Sequence, residues 1–103
     1  MNLLIVSDSD FILRRIMADV RLYTEADIFT LKWHQRDSVS YPGVQFDATL
    51  ISVQQLNYEW INRNSRFFKS VLIDSDRLKN AGDGIVGCQI SFAHDLYHKL
   101  MSI

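Results

Sequence analysis

Two carboxylates close the first apolar stretch of the chain. The apolar residues 3–6 are followed by Ser7, Asp8, Ser9 and Asp10. Carboxylate oxygens are the ligands that Mg²⁺ prefers in proteins, so a buried strand that ends in acidic residues is a common beginning of a metal or phosphate site. The first hypothesis is therefore an acidic site built on Asp8 and Asp10.

The composition is that of one small globular domain. The chain has 103 residues, of which 48% are hydrophobic and 22% are charged, and this balance is typical of soluble proteins. Its formal charge of −1 provides no general attraction to nucleic acid or anionic lipid. Cys88 is the single cysteine, so neither an internal disulfide nor a cysteine-based zinc site can form.

No apolar run approaches the length of a membrane span, and Asp8 and Asp10 interrupt what would otherwise resemble a signal peptide. We therefore expect a cytoplasmic domain over residues 1–103, either on its own or as the amino-terminal domain of a larger protein. We expect it to bind neither nucleic acid nor membranes directly.

Strand and helix patterns alternate along the chain. The predicted strands are NLLIVS, DIFTLKW, FDATLISV, SVLIDS and IVGCQI. Ile12, Ile16 and Val20 recur every four residues and predict a helix after the first strand, which Ser9 or Asp10 can cap. Two further helices are predicted over 54–67 and 93–101, whereas HQRDSVSYPGVQ has room for only a short second helix.

Five strands that alternate with helices imply right-handed crossovers and a parallel α/β sheet. Because the most apolar strands should be central, the flavodoxin-like order 2-1-3-4-5 is favoured. In that order the carboxyl ends of the first and third strands lie at the point where the strand order reverses. The fold is therefore predicted to bring Ser7, Asp8, Ser52 and Asp74 close together.

The chain resembles the receiver domain of bacterial response regulators over nearly its whole length, through LLIVSDSDF, FDATLISV, SVLIDS and QISFAHDLYHKL. Receivers have an acidic pair after the first strand, a phosphoacceptor Asp after the third, a Thr or Ser after the fourth and a Lys after the fifth. The corresponding residues here are Ser7 and Asp8, then Ser52, then Asp74, and then Gln89 or Ile90.

These departures imply a degenerate phosphorylation pocket. At the phosphoacceptor position, the hydroxyl of Ser52 without an adjacent base is a poor substitute for an aspartate carboxylate. Asp8 is the one acid expected to face a metal. The resemblance thus implies a pseudo-receiver without catalytic residues, metal or cofactor. It would act through protein–protein contacts in a two-component signalling, transcription or pilus-assembly protein.

The segment between the last two predicted strands supports the same interpretation. About ten residues, Asp76 to Ile85, separate these strands, which is too few for a full fourth helix with its loops. In phosphorylated receivers the surface around that helix delivers the signal. A shortened fourth helix therefore agrees with the loss of the phosphorylation residues.

The last predicted helix is the expected contact of a homodimer. Receiver domains commonly dimerise through their last strand and helix, and Ala93, Tyr97 and Met101 lie beside the predicted core stripe of that helix. A small self-complementary patch of this kind suits a two-fold interface. In the alternative interpretation, Tyr97 packs its ring on the sheet and directs its hydroxyl to water.

A second function remains open from the residues. VSDSDF also resembles the DxD motif of haloacid-dehalogenase-type phosphatases, which would make Asp8 the nucleophile, Asp10 the acid/base and Asp83 a Mg²⁺ ligand. The chain is short for that fold, and Asp83 between two glycines is also typical of a turn. His94 and His98 have the i,i+4 spacing of a metal pair, but no third ligand is in view, so a solvated helix face is the favoured interpretation.

Overall fold

The computed structural model describes residues 1–37, 43–74, 77–78 and 88–90, the last of these by their backbone alone. The strands are β1 (Asn2–Ser7), β2 (Asp27–Lys32), β3 (Ala48–Ser52), β4 (Val71–Asp74) and β5 (Cys88–Ile90). The helices are α1 (Asp10–Tyr23) and α2 (Tyr58–Asn64), and single 3₁₀ turns lie at Trp33–Gln35 and Ser65–Phe67.

The sheet is parallel, as the alternating patterns predicted. Strands β1 to β4 lie in the order β2-β1-β3-β4, with Leu3 of β1 opposite Ile28 of β2 on one side and Ala48 of β3 on the other. The backbone of β5 pairs in parallel with β4. This topology is compatible with a flavodoxin-like fold, and it puts the carboxyl ends of β1 and β3 next to each other.

Helix α1 forms where its sequence predicted. Ser9 is the N-cap, since its Oγ accepts a hydrogen bond from the backbone N–H of Ile12 at 3.3 Å, and Asp10 is the first helical residue. An acidic first turn and Arg21 in the last turn both suit the helix dipole. The buried seam of the helix consists of Leu13, Ile16 and Val20.

The sheet has a hydrophobic layer on each face, because successive side chains of a strand point to opposite sides. The layer under α1 contains Leu3, Ile5, Ala48, Leu50 and Leu72. The layer on the α2 face contains Leu4, Val6, Ile51, Val53, Phe46, Trp60 and Ile61. Coverage on both sides explains why the central strands are continuous apolar runs.

The prediction of a helix over 54–67 was wrong at its amino-terminal end. Asn57 is the N-cap, and its Oδ1 accepts a hydrogen bond from the backbone N–H of Trp60 at 3.0 Å. The helix therefore begins at Tyr58, and Leu56 precedes it while still packing against the α2-face layer. The first amides of a helix have no acceptor within the helix, and the Asn57 side chain supplies one for Trp60. The cap therefore sets the start of the helix, although the apolar spacing predicted an earlier one.

The amino end of β1 is tied to the residue before β3. The backbone N–H of Asn2 donates to Asp47 Oδ2 at 2.8 Å, and the N–H of Asp47 donates to the Asn2 carbonyl at 2.9 Å. The hydrogen bond from the Asn2 N–H to the carboxylate of Asp47 lowers the pKa of that carboxyl group, and the Lys69 ammonium at 3.4 Å lowers it further. These bonds align β1 with β3 at the amino ends of the strands, which is the end of the sheet opposite the candidate site.

Several predictions lie outside the described residues. They concern the short segment after the first 3₁₀ turn, the fourth and last helices, and the side chain of Gln89. They also concern Asp83, Ala93, His94, Tyr97, His98 and Met101. In the part of the chain that the structure describes, no helix is long and apolar enough to cross a membrane.

Candidate functional site

The candidate site lies at the carboxyl ends of β1, β3 and β4. Ser7 and Ser52 are register partners across β1 and β3, and Asp74 ends β4 beside them. All three polar side chains are buried, although they belong to strands that are otherwise apolar. The structure therefore brings together the residues that the predicted topology placed at this edge.

The hydroxyl of Ser52 is directly bonded to the carboxylate of Asp74. Ser52 Oγ donates to Asp74 Oδ2 at 3.0 Å, and both residues are almost completely shielded from solvent. The expectation that Ser52 has no adjacent base is therefore wrong, since Asp74 has the position of one. Burial nevertheless separates this pair from any substrate, because only 1% of Ser52 is exposed.

Arg77 is the residue that sequence reasoning missed. Its Nη1 lies 2.7 Å from the Ser52 carbonyl oxygen, 3.2 Å from Ser52 Oγ and 3.4 Å from Ser7 Oγ. The same nitrogen forms an ion pair with Asp8 Oδ1 at 2.8 Å. Because one Nη carries two hydrogens, it donates one to each of the two nearest oxygens, Asp8 Oδ1 and the Ser52 carbonyl oxygen. The two hydroxyl oxygens accept weaker, shared hydrogen bonds from the same nitrogen.

A turn after β4 aims the guanidinium at this cluster. The backbone N–H of Arg77 donates to the Asp74 carbonyl at 3.3 Å, which folds the chain back towards the ends of β1 and β3. A signal for Arg77 existed in the sequence. Two acids were predicted at an edge that lacked the expected Lys, and Arg77 is the first basic residue after Asp74.

Both carboxylate oxygens of Asp8 have partners. Oδ1 binds Arg77, and Oδ2 accepts a hydrogen bond from the backbone N–H of Gln54 at 3.0 Å. Asp8 thus links the end of β1 to Gln54, the second residue after β3. These two bonds compete with any role of Asp8 as a nucleophile.

Asp10 belongs to a different environment. Its Oδ1 lies 3.4 Å from Lys32 Nζ, and its side chain is 62% exposed. As the first residue of α1 it stabilises the helix dipole, a role that accounts for an acid at this position. The paired-acid hypothesis for Asp8 and Asp10 therefore gains no support from their contacts.

The residues present do not fit a divalent metal ion of the kind that receivers hold. Among the described residues, no group of three or more His, Cys, Asp or Glu side chains could hold a metal. The side chain at position 7 is a serine hydroxyl, and the carboxylate of Asp8 is paired with the guanidinium of Arg77. A cation of the protein itself thus engages Asp8 Oδ1, the oxygen of that carboxylate that faces this cluster.

An adjacent cleft of about 180 Å³ lies beyond the carboxyl end of β3. Its lining residues are Gln54, Gln55, Leu56, Tyr58 and Leu78. The described part of this lining contains amides and a phenol, which can offer polar contacts to a ligand.

Comparison of the chain with protein-family models, with curated proteins and with solved structures finds no significant match.

Proposed function

We propose that the chain is a degenerate, non-phosphorylated receiver-like domain that acts through protein–protein contacts. Its fold would be the five-stranded flavodoxin-like order 2-1-3-4-5 with shortened second and fourth helices. Its role would be regulatory, in bacterial cytoplasmic signalling, transcription or pilus assembly. The proposal joins the resemblance in sequence to the observed sheet order β2-β1-β3-β4.

One observation carries the proposal. The group at the phosphoacceptor position is the hydroxyl of Ser52, which is buried, donates to Asp74 and is covered by Arg77. Phosphoryl transfer needs an accessible nucleophile in line with the leaving group and cations that neutralise the developing charge. The buried hydroxyl of Ser52 lacks the accessibility that in-line attack requires, and the guanidinium in front of it is already paired with Asp8. This arrangement favours a domain that is not switched by phosphorylation.

Treatment with acetyl phosphate and Mg²⁺ is expected to leave the protein unmodified. The physical reason is that Ser52 Oγ cannot reach the donor while Arg77 occupies the space in front of it. Intact-mass spectrometry measures the outcome directly. A stable adduct of one phosphoryl group that is absent from Ser52→Ala would contradict the proposal.

A protein partner is the remaining means of action, and a second copy of the chain is the expected one. The resemblance places the contact at Ala93, Tyr97 and Met101, which lie outside the described residues. An aromatic–methionine patch is characteristic of the buried centre of protein interfaces. The domain would then contribute a dimer contact rather than a chemical reaction.

Sedimentation is expected to show a wild-type dimer at micromolar concentration and a Tyr97→Glu monomer, because a carboxylate cannot be buried unpaired at the centre of a two-fold contact. Phe11→Glu is the matched control, since it makes the same kind of change at an exposed aromatic residue of α1. This control should remain dimeric. A wild type that stays monomeric at high micromolar concentration would remove the dimer proposal.

The alternative, a Mg²⁺-dependent phosphatase that uses Asp8 and Asp10, has weaker support. Both oxygens of Asp8 are bonded to Arg77 and Gln54, while Asp10 pairs with Lys32. A nucleophilic carboxylate would first have to lose its guanidinium partner. The contacts therefore favour the interaction module over the enzyme.

A further inference from the structure

The side of α1 that faces away from the sheet is apolar where a surface helix normally carries charge. Phe11 is 66% exposed, Leu22 is 76% exposed, and Ala18 is exposed between them. Phe11 and Leu22 are separated by about three turns of helix, so they share one face with Ala18. These three residues form the outer α1 face, which lies opposite the buried seam of the helix. An exposed apolar face of this kind is characteristic of an interaction surface.

The outer α1 face is complementary to itself. In an antiparallel pair of α1 helices with a two-fold axis between positions 16 and 17, position 11 of one copy lies opposite position 22 of the other. Phe11 then packs on Leu22 of the second copy, and the symmetry repeats this contact. Ala18 lies near the axis, where its small side chain allows the two helices to approach closely.

The charges beside this face favour the antiparallel direction. Antiparallel pairing places Arg15 beside Asp19 of the second copy, and this attraction also occurs twice. At the other edge of the face, Arg21 lies between Asp10 and Arg14 of the second copy, where attraction and repulsion nearly cancel. Parallel pairing would instead place Arg15 beside Arg14 of the second copy, and like charges at that distance disfavour an interface.

We infer that the outer α1 face binds the same face of a second copy of the chain, antiparallel and about a two-fold axis. The inference goes beyond the proposed function, because this contact uses α1 and not the last helix. One helix from each copy supplies a small interface, and small interfaces are typical of transient association. The contact should therefore form at high protein concentration, whereas at micromolar concentration Phe11→Glu keeps the oligomeric state that the last helix provides.

Thiol cross-linking tests the pairing directly. Phe11→Cys and Leu22→Cys are made separately in a Cys88→Ala background, so that each chain carries one thiol. In a mixed pair, the cysteine at position 11 faces the cysteine at position 22, while the remaining Leu22 and Phe11 keep their contact. A short bismaleimide should therefore join the two chains at high micromolar concentration.

Each cysteine variant on its own is the control for geometry. In the antiparallel pair, two cysteines at position 11 lie about 16 Å apart along the helix axes, and so do two cysteines at position 22. A short reagent does not span this separation together with the distance between the helices. The equal mixture should give severalfold more cross-linked dimer than either variant alone.

Ala18→Arg, added to both cysteine variants, should remove the excess cross-linking of the mixture. It places a long, charged side chain near the two-fold axis, beside Arg15 of the second copy. Asn62→Arg is the matched control, since it adds the same side chain at an exposed position of α2. This control should leave the cross-linking unchanged.

Equal yields from the mixture and from each variant alone would overturn the inference, because random collision would explain them. Higher yields from the single variants would show a parallel arrangement, and no cross-linking in any sample would show that the face does not pair. Both results contradict the antiparallel contact.

Sedimentation at millimolar concentration measures the same contact without added thiols. The wild type should gain average mass above its value at micromolar concentration, and Ala18→Arg should not. Equal masses for these two proteins would also overturn the inference. None of these results bears on the contact proposed at Tyr97, which is measured at micromolar concentration.

Discussion

Trp60→Ala is expected to lower the free energy of unfolding by about 3–5 kcal/mol, the usual cost of truncating a large buried aromatic residue. Only 3% of Trp60 is exposed. Its ring packs edge-on against Trp33, with centroids 5.3 Å apart, and lies 5.8 Å from the ring of Phe68. Alanine would leave a cavity between the short helix α2 and the sheet, where neighbouring aromatic rings cannot collapse easily.

Urea unfolding followed by circular dichroism measures this loss without relying on tryptophan fluorescence, which the substitution itself changes. Phe11→Ala is the control, because Phe11 is an aromatic residue of α1 that is 66% exposed. Its effect should lie within about 0.5 kcal/mol. Comparable losses for the two variants would contradict the assignment of Trp60 to the core.

Asp74→Ala should cost about 1–3 kcal/mol, the range for leaving a buried hydrogen-bonding group without its partner. The substitution removes the acceptor of the Ser52 hydroxyl, and that hydroxyl is too deeply buried to bond to bulk water instead. Asp74→Asn keeps an acceptor oxygen in nearly the same place. It should therefore lose less stability than Asp74→Ala.

Asp10→Ala is the matched control for the loss of an aspartate. Its ion pair with Lys32 is exposed, and pairs of this kind contribute about 0–1 kcal/mol. Urea unfolding of the three variants under the same conditions ranks them. An Asp74→Ala variant as stable as Asp10→Ala would show that the bond between Ser52 and Asp74 does not contribute to the fold.

The sequence pattern correctly predicted those strands and helices whose signals lie in neighbouring residues. The apolar run of β1 predicted a strand covered on both faces, and the spacing in α1 together with Ser9 predicted that helix and its cap. The order of strands also followed from sequence, because the most apolar strands must occupy the centre of a two-sided parallel sheet. From that order alone, Ser7, Ser52 and Asp74 could be placed at one edge.

The partners within that edge depended on the tertiary structure. Arg77 contacts Ser7 across 70 positions of sequence and Ser52 across 25, and no periodicity relates such distant residues. Pattern predicts which end of a strand a residue occupies, but the direction of a long side chain depends on the turn that precedes it and on the oxygens that surround it. Sequence pattern was enough to predict that acids and hydroxyls meet at the ends of β1, β3 and β4. The position of Arg77 among them could be learned only from the folded chain, because it results from non-local hydrogen bonds that exist once the three strand ends are assembled.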